Sequence, residues 1–534
     1  MINILVPDKL HIHERGFKSI IDLEKEKKIT LTFINKNDNL KYLYGNYNEN
    51  KSFFLKEYDY LSTKTKEELY NEKVGGIELF NLIKAEMLSY LMPKDNWLNS
   101  KIESSNIKIF EKAYLENKED LLLNLSAGIY WFNYWKEELK NHKRTRACII
   151  FSGSLIYVKT ISFLLQNTSI KVFVVEHFFT GNDFYFEEKY THIANNSDIK
   201  YSNYYTQQLN EYLEKDSFDQ KKDKIKAINK IHLSQNKNVK QPEHSEINFN
   251  FNKNKKVLIL GQVINDFSII ENPLENINSL NIYKSMIQRL IKETDFNIIF
   301  KAHPWEKNKI NIKQSLTKNK LNEFIFNEFN EEERKRFIIV EDFNITKLFV
   351  YSDIIVGICS QSLIEASFIG KKTHQIGDAF FGKKGFTYDY KNENEFIEQI
   401  KKHDLDPKLN IYEYNKLVEF LTIILQYHLI SVYSSGKNEL LKKFKNNTYI
   451  KIVEKIKNND LEPSSETKNK EVIDFQNDEF IFEQGFDLSI RKKVIENIIY
   501  KVSSEKKFSK FRNNPDKFFS DSNYYIVKIL GKFY

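Results

Sequence analysis

Lys301-Ala-His-Pro304 places a cation and an imidazole one residue apart, directly after the apolar run 297–300. Such a run reads as a buried strand. Ligands of open α/β sheets bind outside the carboxyl ends of their strands, so Lys301 and His303 stand where an anionic group such as a phosphate is held. Pro304 stops the strand and fixes the turn. The plainer reading is a strand end with a solvated lysine and a packed histidine. Ser360-Gln-Ser-Leu-Ile-Glu365 follows the run 354–356 and opens a helix. Ser362 and Glu365 have the spacing of a capping box, which explains both without a ligand. Free N–H groups at a helix start also attract anions, and the two readings are compatible.

Gly261-Gln-Val-Ile-Asn-Asp-Phe-Ser268 follows the run 257–260. An aspartate there serves as nucleophile, base or loop cap. Glu176-His177 ends the run 171–175, and a carboxylate at that place suits removal of a proton from a hydroxyl. A surface glutamate at a strand terminus is the alternative. Gly370-Lys-Lys-Thr373 and Gly377-Asp-Ala-Phe-Phe-Gly382 read as turns around a further strand that close the same pocket. Neither a G-x-G-x-x-G nor a P-loop motif occurs. The D-x-D at Asp404-Leu-Asp406 lies after a helix and before Pro407, a poor place for a metal bridging a nucleotide.

The elements that must position these groups alternate. Strands are expected at 2–6, 30–34, 147–151 and 171–175, with a helix over 155–166 between the last two. A second series follows at 257–260, 297–300, 337–340, 354–356 and 373–376, with helices at 279–293, 361–369, 392–402 and 411–430. Strands alternating with helices imply parallel sheets. The expected fold class is therefore α/β, with two Rossmann-like doubly wound domains. Residues 1–215 form the first, with a helical insert at about 66–142. Residues 216–256 form a linker. Residues 257–456 form the second. Residues 457–534 hold a polar spacer and a tail that mixes basic and aromatic residues.

Composition bounds the function. The 534 residues carry a net charge of +8, of which +5 lies in 506–534, where seven Lys/Arg face two Asp. A body so near neutrality is unlike that of a nucleic-acid binder. Two cysteines, Cys148 and Cys359, exclude a disulfide scaffold and suit buried thiols in a reducing compartment. Residues 1–6 read as a strand rather than a signal peptide, and no apolar run is long enough to span a membrane.

Taken together, Gln262…Asp266-x-Ser268, Lys301-x-His-Pro304 and Ser360-x-Ser-x-x-Glu365 with Gly377-Asp-Ala-Phe-Phe381 resemble the bacterial capsule and O-antigen retaining β-Kdo glycosyltransferases. Val175-Glu-His-Phe-Phe-Thr-Gly-Asn-Asp-Phe-Tyr185 resembles the N-terminal half of that group. The likeness covers about 145–200 and 257–390. It implies a GT-B-like fold with CMP-Kdo bound mainly by the C-terminal domain. It implies Asp266 as nucleophile, Glu176 as acceptor-side acid/base, and His303 as a catalytic group of the donor site. The donor-binding set would comprise Gln262, Ser268, Lys301, Pro304, Ser360, Gln361, Ser362 and Glu365. No metal or other cofactor is expected, CMP-Kdo being a substrate. Asn265 departs from the pattern where an acidic residue often precedes the key Asp, and Gln361 departs where a serine is common.

Lys510-Phe-Arg-Asn-Asn-Pro-Asp-Lys-Phe-Phe-Ser-Asp-Ser522 resembles a segment common at the ends of capsule and lipopolysaccharide glycosyltransferases. Basic residues attract anionic lipid and phenylalanine inserts at its interface. The expectation is thus a cytoplasmic enzyme, peripheral on the inner face of the bacterial inner membrane. It would move Kdo from CMP-β-Kdo to a lipid-linked or saccharide acceptor, with other polysaccharide-assembly proteins as further partners. A transferase of sialic or another nonulosonic acid and a non-catalytic glycan-binding subunit are the alternatives.

Overall fold

A computed structural model describes residues 1–232, 246–445 and 505–521. Among these, two six-stranded sheets carry the fold. The first contains β1 (Ile2–Val6), β2 (Ile29–Phe33), β5 (Ala147–Phe151), β6 (Lys171–His177), β7 (Asp183–Glu188) and β14 (Leu429–Ser431), in the order β14-β7-β6-β5-β1-β2. The second contains β8 (Lys256–Leu260), β9 (Asn297–Lys301), β10 (Phe337–Val340), β11 (Ile354–Ile358), β12 (Thr373–Ile376) and β13 (Thr387–Tyr390), in the order β10-β9-β8-β11-β12-β13. A two-stranded hairpin, β3 (Lys73–Val74) with β4 (Ile77–Glu78), lies in the helical insert. The second sheet is wholly parallel. The first is parallel from β2 to β6 and antiparallel at β7 and β14.

The α/β class and the GT-B-like pair of doubly wound sheets agree with the sequence expectation. In the second sheet the chain steps from β8 outward to β9 and β10, then returns to β11 and steps the other way. In the first it steps from β1 to β2, then from β5 to β6. Each sheet therefore has a switch point, between β8 and β11 and between β1 and β5, and there the loops diverge to leave a crevice.

Alternation along the strands sets the layers. Ile4 and Val6 belong to the core beneath the helix Glu14–Lys25, while Leu5 turns to the larger core shared with the insert. Both thiols, Cys148 and Cys359, are buried and free. Residues 411–430, expected as one helix, divide. A helix covers Ile411–Ile423, a wider π turn Ile424–His428 ends it, and Leu429–Ser431 pairs with β7. The β-favourable end of that stretch is taken by an open sheet edge, a tertiary preference that periodicity does not reveal.

The helices Glu505–Asn513 and Pro515–Ser520 form part of a separate unit, residues 455–534. Phe511, Phe518 and Phe519 pack on one another there, with ring centroids 5.4–5.7 Å apart. The expected spacer at 457–480 and Tyr524, Tyr525, Phe533 and Tyr534 lie outside the described residues. Among the described residues no helix is long and apolar enough to cross a membrane.

Candidate active site

Three of the four sequence motifs leave adjacent strands of the second sheet. Gln262–Ser268 follows β8, Lys301–Pro304 follows β9 on one side, and Ser360–Glu365 follows β11 on the other. Glu176 is the penultimate residue of β6 in the first sheet. The loops beyond the strands meet. The backbone N–H of Phe179, just after β6, donates to Gln361 Oε1 at 3.2 Å. The Asn195 side chain donates to the Asp378 carbonyl at 2.9 Å and accepts from the Phe380 N–H at 2.9 Å. The expected turn Gly377–Gly382 and Gln361 thus hold the two sheets together.

Asp266 caps the short helix Phe267–Ile270, its Oδ1 accepting from the Ser268 N–H at 2.9 Å. Its Oδ2 makes no hydrogen bond among the described residues. Capping therefore takes one oxygen and leaves the other. Asp266 lies close enough for its charge to act on both Glu176 and His303. Glu176 keeps part of its surface in contact with solvent but is densely surrounded. Burial pushes its carboxyl up to about 7, against the opposing pull of the His177 N–H, His11 and the Ser152 hydroxyl, and the Asp266 charge adds to the rise.

His303 is pushed down to about 4, chiefly by burial and despite the charge of Asp266, so it is neutral near pH 7. Its Nδ1 accepts from the Trp305 N–H at 3.2 Å. In the neutral ring the proton then sits on Nε2, which becomes a donor. Lys301 is 5 % exposed, and its ammonium donates to the Ala302 and Glu341 carbonyls at 3.1 and 2.5 Å. Burial lowers it to about 8. In this arrangement Lys301 props the loop that presents His303 and Pro304.

Gln262 fixes the turn through its N–H to the Tyr283 hydroxyl at 2.9 Å, and its Nε2 donates to Ser268 Oγ at 3.4 Å. Its Oε1 is buried without a partner. Gly261 allows this close approach, since a Cβ there would stand 2.7 Å from the Phe300 ring.

The capping box that the sequence suggested at Ser362 and Glu365 does not form. Gln361 is the N-cap, no side chain caps the helix Ser362–Phe368, and Ser362 is its first residue. That helix is two turns long, so its dipole contributes little and its open N–H groups are what remains. Glu365 has no hydrogen-bond partner among the described residues, and burial alone raises its carboxyl to about 7. Ser360 is buried and follows Cys359, whose φ of 55° is left-handed. Ser152, at the end of β5, has a φ of 59°. Strained residues thus mark the switch-point strands of both sheets.

Several residues at the site were not found from the sequence. Asp8, 1 % exposed, and His11 follow β1. Glu306 accepts from the Ile264 N–H at 3.3 Å and the Thr317 N–H at 2.8 Å, tying the β9 loop to the β8 loop. Glu271 joins Ser154 and Lys159 at 2.5 Å each across the sheets. The insert braces the Asp266 loop: Asn265 Nδ2 donates to the Ser89 carbonyl at 2.8 Å, and Asn278 donates to the carbonyls of Trp97, Leu98 and Ser100. An amide donates to that carbonyl where a carboxylate repels it, which gives a physical reason for asparagine at 265. Asp404 pairs with Lys255 on the surface.

The family model described as capsule polysaccharide biosynthesis protein matches residues 161–433, just over half of the chain. No curated protein matches at a significant level. Among solved structures, the chain is similar to the Thermosulfurimonas dismutans KpsC beta Kdo 2,7 transferase, with 18 % identity, 58 % of this chain and 89 % of that one covered, and a TM-score of 0.34. It is also similar to the Thermosulfurimonas dismutans KpsC beta Kdo 2,4 transferase, with 13 % identity, 54 % and 82 % covered, and a TM-score of 0.36.

Proposed function

Because the chain belongs to the capsule polysaccharide biosynthesis family, we propose that it is a retaining glycosyltransferase that moves Kdo from CMP-β-Kdo to a lipid-linked or saccharide acceptor. One observation carries the proposal: Glu176, at the end of β6, and Asp266 and His303, in the loops after β8 and β9, stand at strand ends whose loops are joined by the Phe179–Gln361 and Asn195–Asp378 hydrogen bonds, near enough for the Asp266 charge to act on both of the others. A nucleophile, a neutral hydrogen-bond donor and a base of raised pKa thus share one crevice.

In the first displacement an Asp266 oxygen bonds the anomeric carbon, and the electron pair of the broken bond passes to the departing CMP phosphate. His303 Nε2–H stabilises that phosphate by hydrogen bonding, and no proton need be transferred. In the second displacement an acceptor hydroxyl attacks, its proton passes to Glu176, and the Asp266 carboxylate is released. Two inversions retain the configuration. Esterification removes the Asp266 charge, which eases ionisation of Glu176 when a base is needed.

The nucleotide belongs with the second sheet on this reading. Gln262 lies in the loop after β8 and Glu365 in the helix after β11, the two strands of that sheet's switch point, and neither Gln262 Oε1 nor the Glu365 carboxylate has a hydrogen-bond partner among the described residues. A carboxylate surrounded by protein without donors is suited to ribose hydroxyls. The corresponding helix start in the first sheet is already filled. Glu86 accepts from the Ile156 N–H at 2.6 Å, the Gly45 N–H at 3.0 Å and the Tyr47 hydroxyl at 2.8 Å. The insert at 66–142 serves to brace the nucleophile loop. The basic residues of 506–534 attach the enzyme to anionic lipid at up to about 1 kcal/mol each, and cosedimentation with anionic but not neutral vesicles tests this.

CMP release from CMP-Kdo, compared with CMP-sialic acid, tests the donor. Release from CMP-Kdo that falls at least 100-fold in Asp266→Asn is expected. Release from CMP-sialic acid alone would overturn the choice of sugar, and glycan binding without release from either would overturn catalysis.

A further inference from the structure

We infer that the outward face of the helix Ser217–His232 is an attachment surface for anionic lipid, separate from the basic residues of 506–534. Each residue of a helix turns about 100° around its axis. Ala227 and Ile231 are buried on the side that packs on the helix Ile411–Ile423. Phe218, Ile225 and Asn229 stand on the opposite side, within about 40° of one another. Phe218 is 72 % exposed and Ile225 53 %. Lys221 flanks this stripe on one edge, and Lys222 and Lys226 flank it on the other, all three exposed.

The lysines divide along the same line. Lys224 and Lys230, nearer the body of the protein, are spent on Glu419 at 3.3 Å and on Asp183. Lys221, Lys222 and Lys226 make no hydrogen bond or ion pair among the described residues. Of the acids on this helix, Asp223 pairs with Lys215 at 3.1 Å and Asp219 is exposed at the edge of the face. The face therefore offers three unpaired cations against one carboxylate.

This chemistry fits lipid better than protein or nucleic acid. An apolar centre with cationic flanks is how a helix lies in a membrane interface. Lysine stems let the charge rise to the headgroups while Phe218 and Ile225 sink below them. Lysine is depleted at protein interfaces, and nucleic acids are read mainly by arginine, of which this helix has none. The helix also leads to the proposed site. Lys230 fastens its last turn to Asp183, whose carbonyl accepts from the Phe178 N–H at 3.3 Å, two residues beyond Glu176. The face thus runs toward the strand end where, on the reading above, a lipid-linked acceptor gives up its proton.

Ile225→Cys carrying a polarity-sensitive dye, in the full chain, tests the surface directly, since Cys148 and Cys359 are buried. The dye is expected to report an apolar surrounding with vesicles of phosphatidylserine and phosphatidylcholine, and water with phosphatidylcholine alone. Replacing Lys221, Lys222 and Lys226 together by Gln is expected to weaken cosedimentation with the anionic vesicles at least tenfold, each lysine contributing up to about fivefold. A dye that stays in water, whether or not the protein sediments, overturns the inference, and sedimentation in that case leaves the tail as the attachment. Unchanged sedimentation of the folded triple variant overturns it as well. So does a dye shift with an acidic polypeptide and none with vesicles, which would assign the face to a protein partner. Undiminished binding after the Lys and Arg of 506–534 are replaced by Gln would instead sink the tail reading and leave this one standing.

Discussion

On the proposed mechanism, lowering the pH from 8 to 6 is expected to slow breakdown of the sugar–enzyme adduct by up to about tenfold, the full factor being reached where Glu176 keeps its free-enzyme value after Asp266 is esterified. The factor follows from one group. Glu176 has its carboxyl raised to about 7 by burial. As a base it must be ionised, so activity is present above that value and lost as the pH falls through it. Its ionised fraction is about nine-tenths at pH 8 and about one-tenth at pH 6. His303, held down to about 4, stays neutral across this window and adds no limb. Glu365 titrates in the same window, its carboxyl also near 7. Saturating donor and a Glu365→Gln control separate the two. The assay is CMP release from CMP-Kdo with water as acceptor. An initial burst reports the first displacement and the steady rate reports the second. Glu176→Gln keeps the burst, lowers the steady rate about 100- to 10,000-fold and flattens its pH dependence. A steady rate with the same tenfold slope in Glu176→Gln would refute the assignment.

Glu365 makes a stability prediction of the opposite sense. Its folded-state pKa lies above its ordinary value of 4.5, so the stability present below 4.5 is lost as the pH rises toward 7. Glu365→Gln is expected to gain about 1–3 kcal/mol at pH 8 and about a quarter as much at pH 5, read by urea unfolding, while weakening CMP binding. Equal changes at both pH values would contradict it. Asn265→Asp turns a carboxylate toward the Ser89 carbonyl and is expected to cost about 1–3 kcal/mol; unchanged urea unfolding would show that the insert does not brace the loop. His303→Gln, which retains a donor, is expected to keep at least tenfold more burst rate than His303→Ala. Equal rates would mean that the ring serves packing rather than hydrogen bonding.

Nine of the twelve strands of the two sheets were legible because each is a short apolar run bounded by polar residues; β7, β13 and β14, which lie at or next to a sheet edge and in which polar residues or a neighbouring helix mask the pattern, were not. The motif residues were legible because strand ends are where an α/β sheet keeps its chemistry. The sheet order then places three motif loops side by side. What sequence could not supply was the partner of each group. Ser362 and Glu365 have capping-box spacing, yet Gln361 takes the N-cap position and its side-chain Oε1 accepts from the Phe179 N–H, far along the chain. Lys301 sits where a phosphate ligand was expected, yet its ammonium is spent on two backbone carbonyls. Asp8 and His11 were missed because their signal is one aspartate and one histidine in an ordinary loop, made meaningful by Tyr157 and Phe151, which are distant in sequence. Phe511 and Phe519, two aromatic residues of the tail, are buried, and both pack on Phe518 as well as on one another. Composition reveals an aromatic cluster without revealing what it packs on.

The central claim is that Asp266 bonds the sugar. Intact-protein mass spectrometry after mixing the protein with CMP-Kdo, without acceptor, tests it most directly. A mass gain of one Kdo unit in the wild type, persisting in Glu176→Gln and absent in Asp266→Asn, is the predicted result. CMP-Kdo consumed without any gain in Glu176→Gln, or a gain that survives in Asp266→Asn, would contradict it.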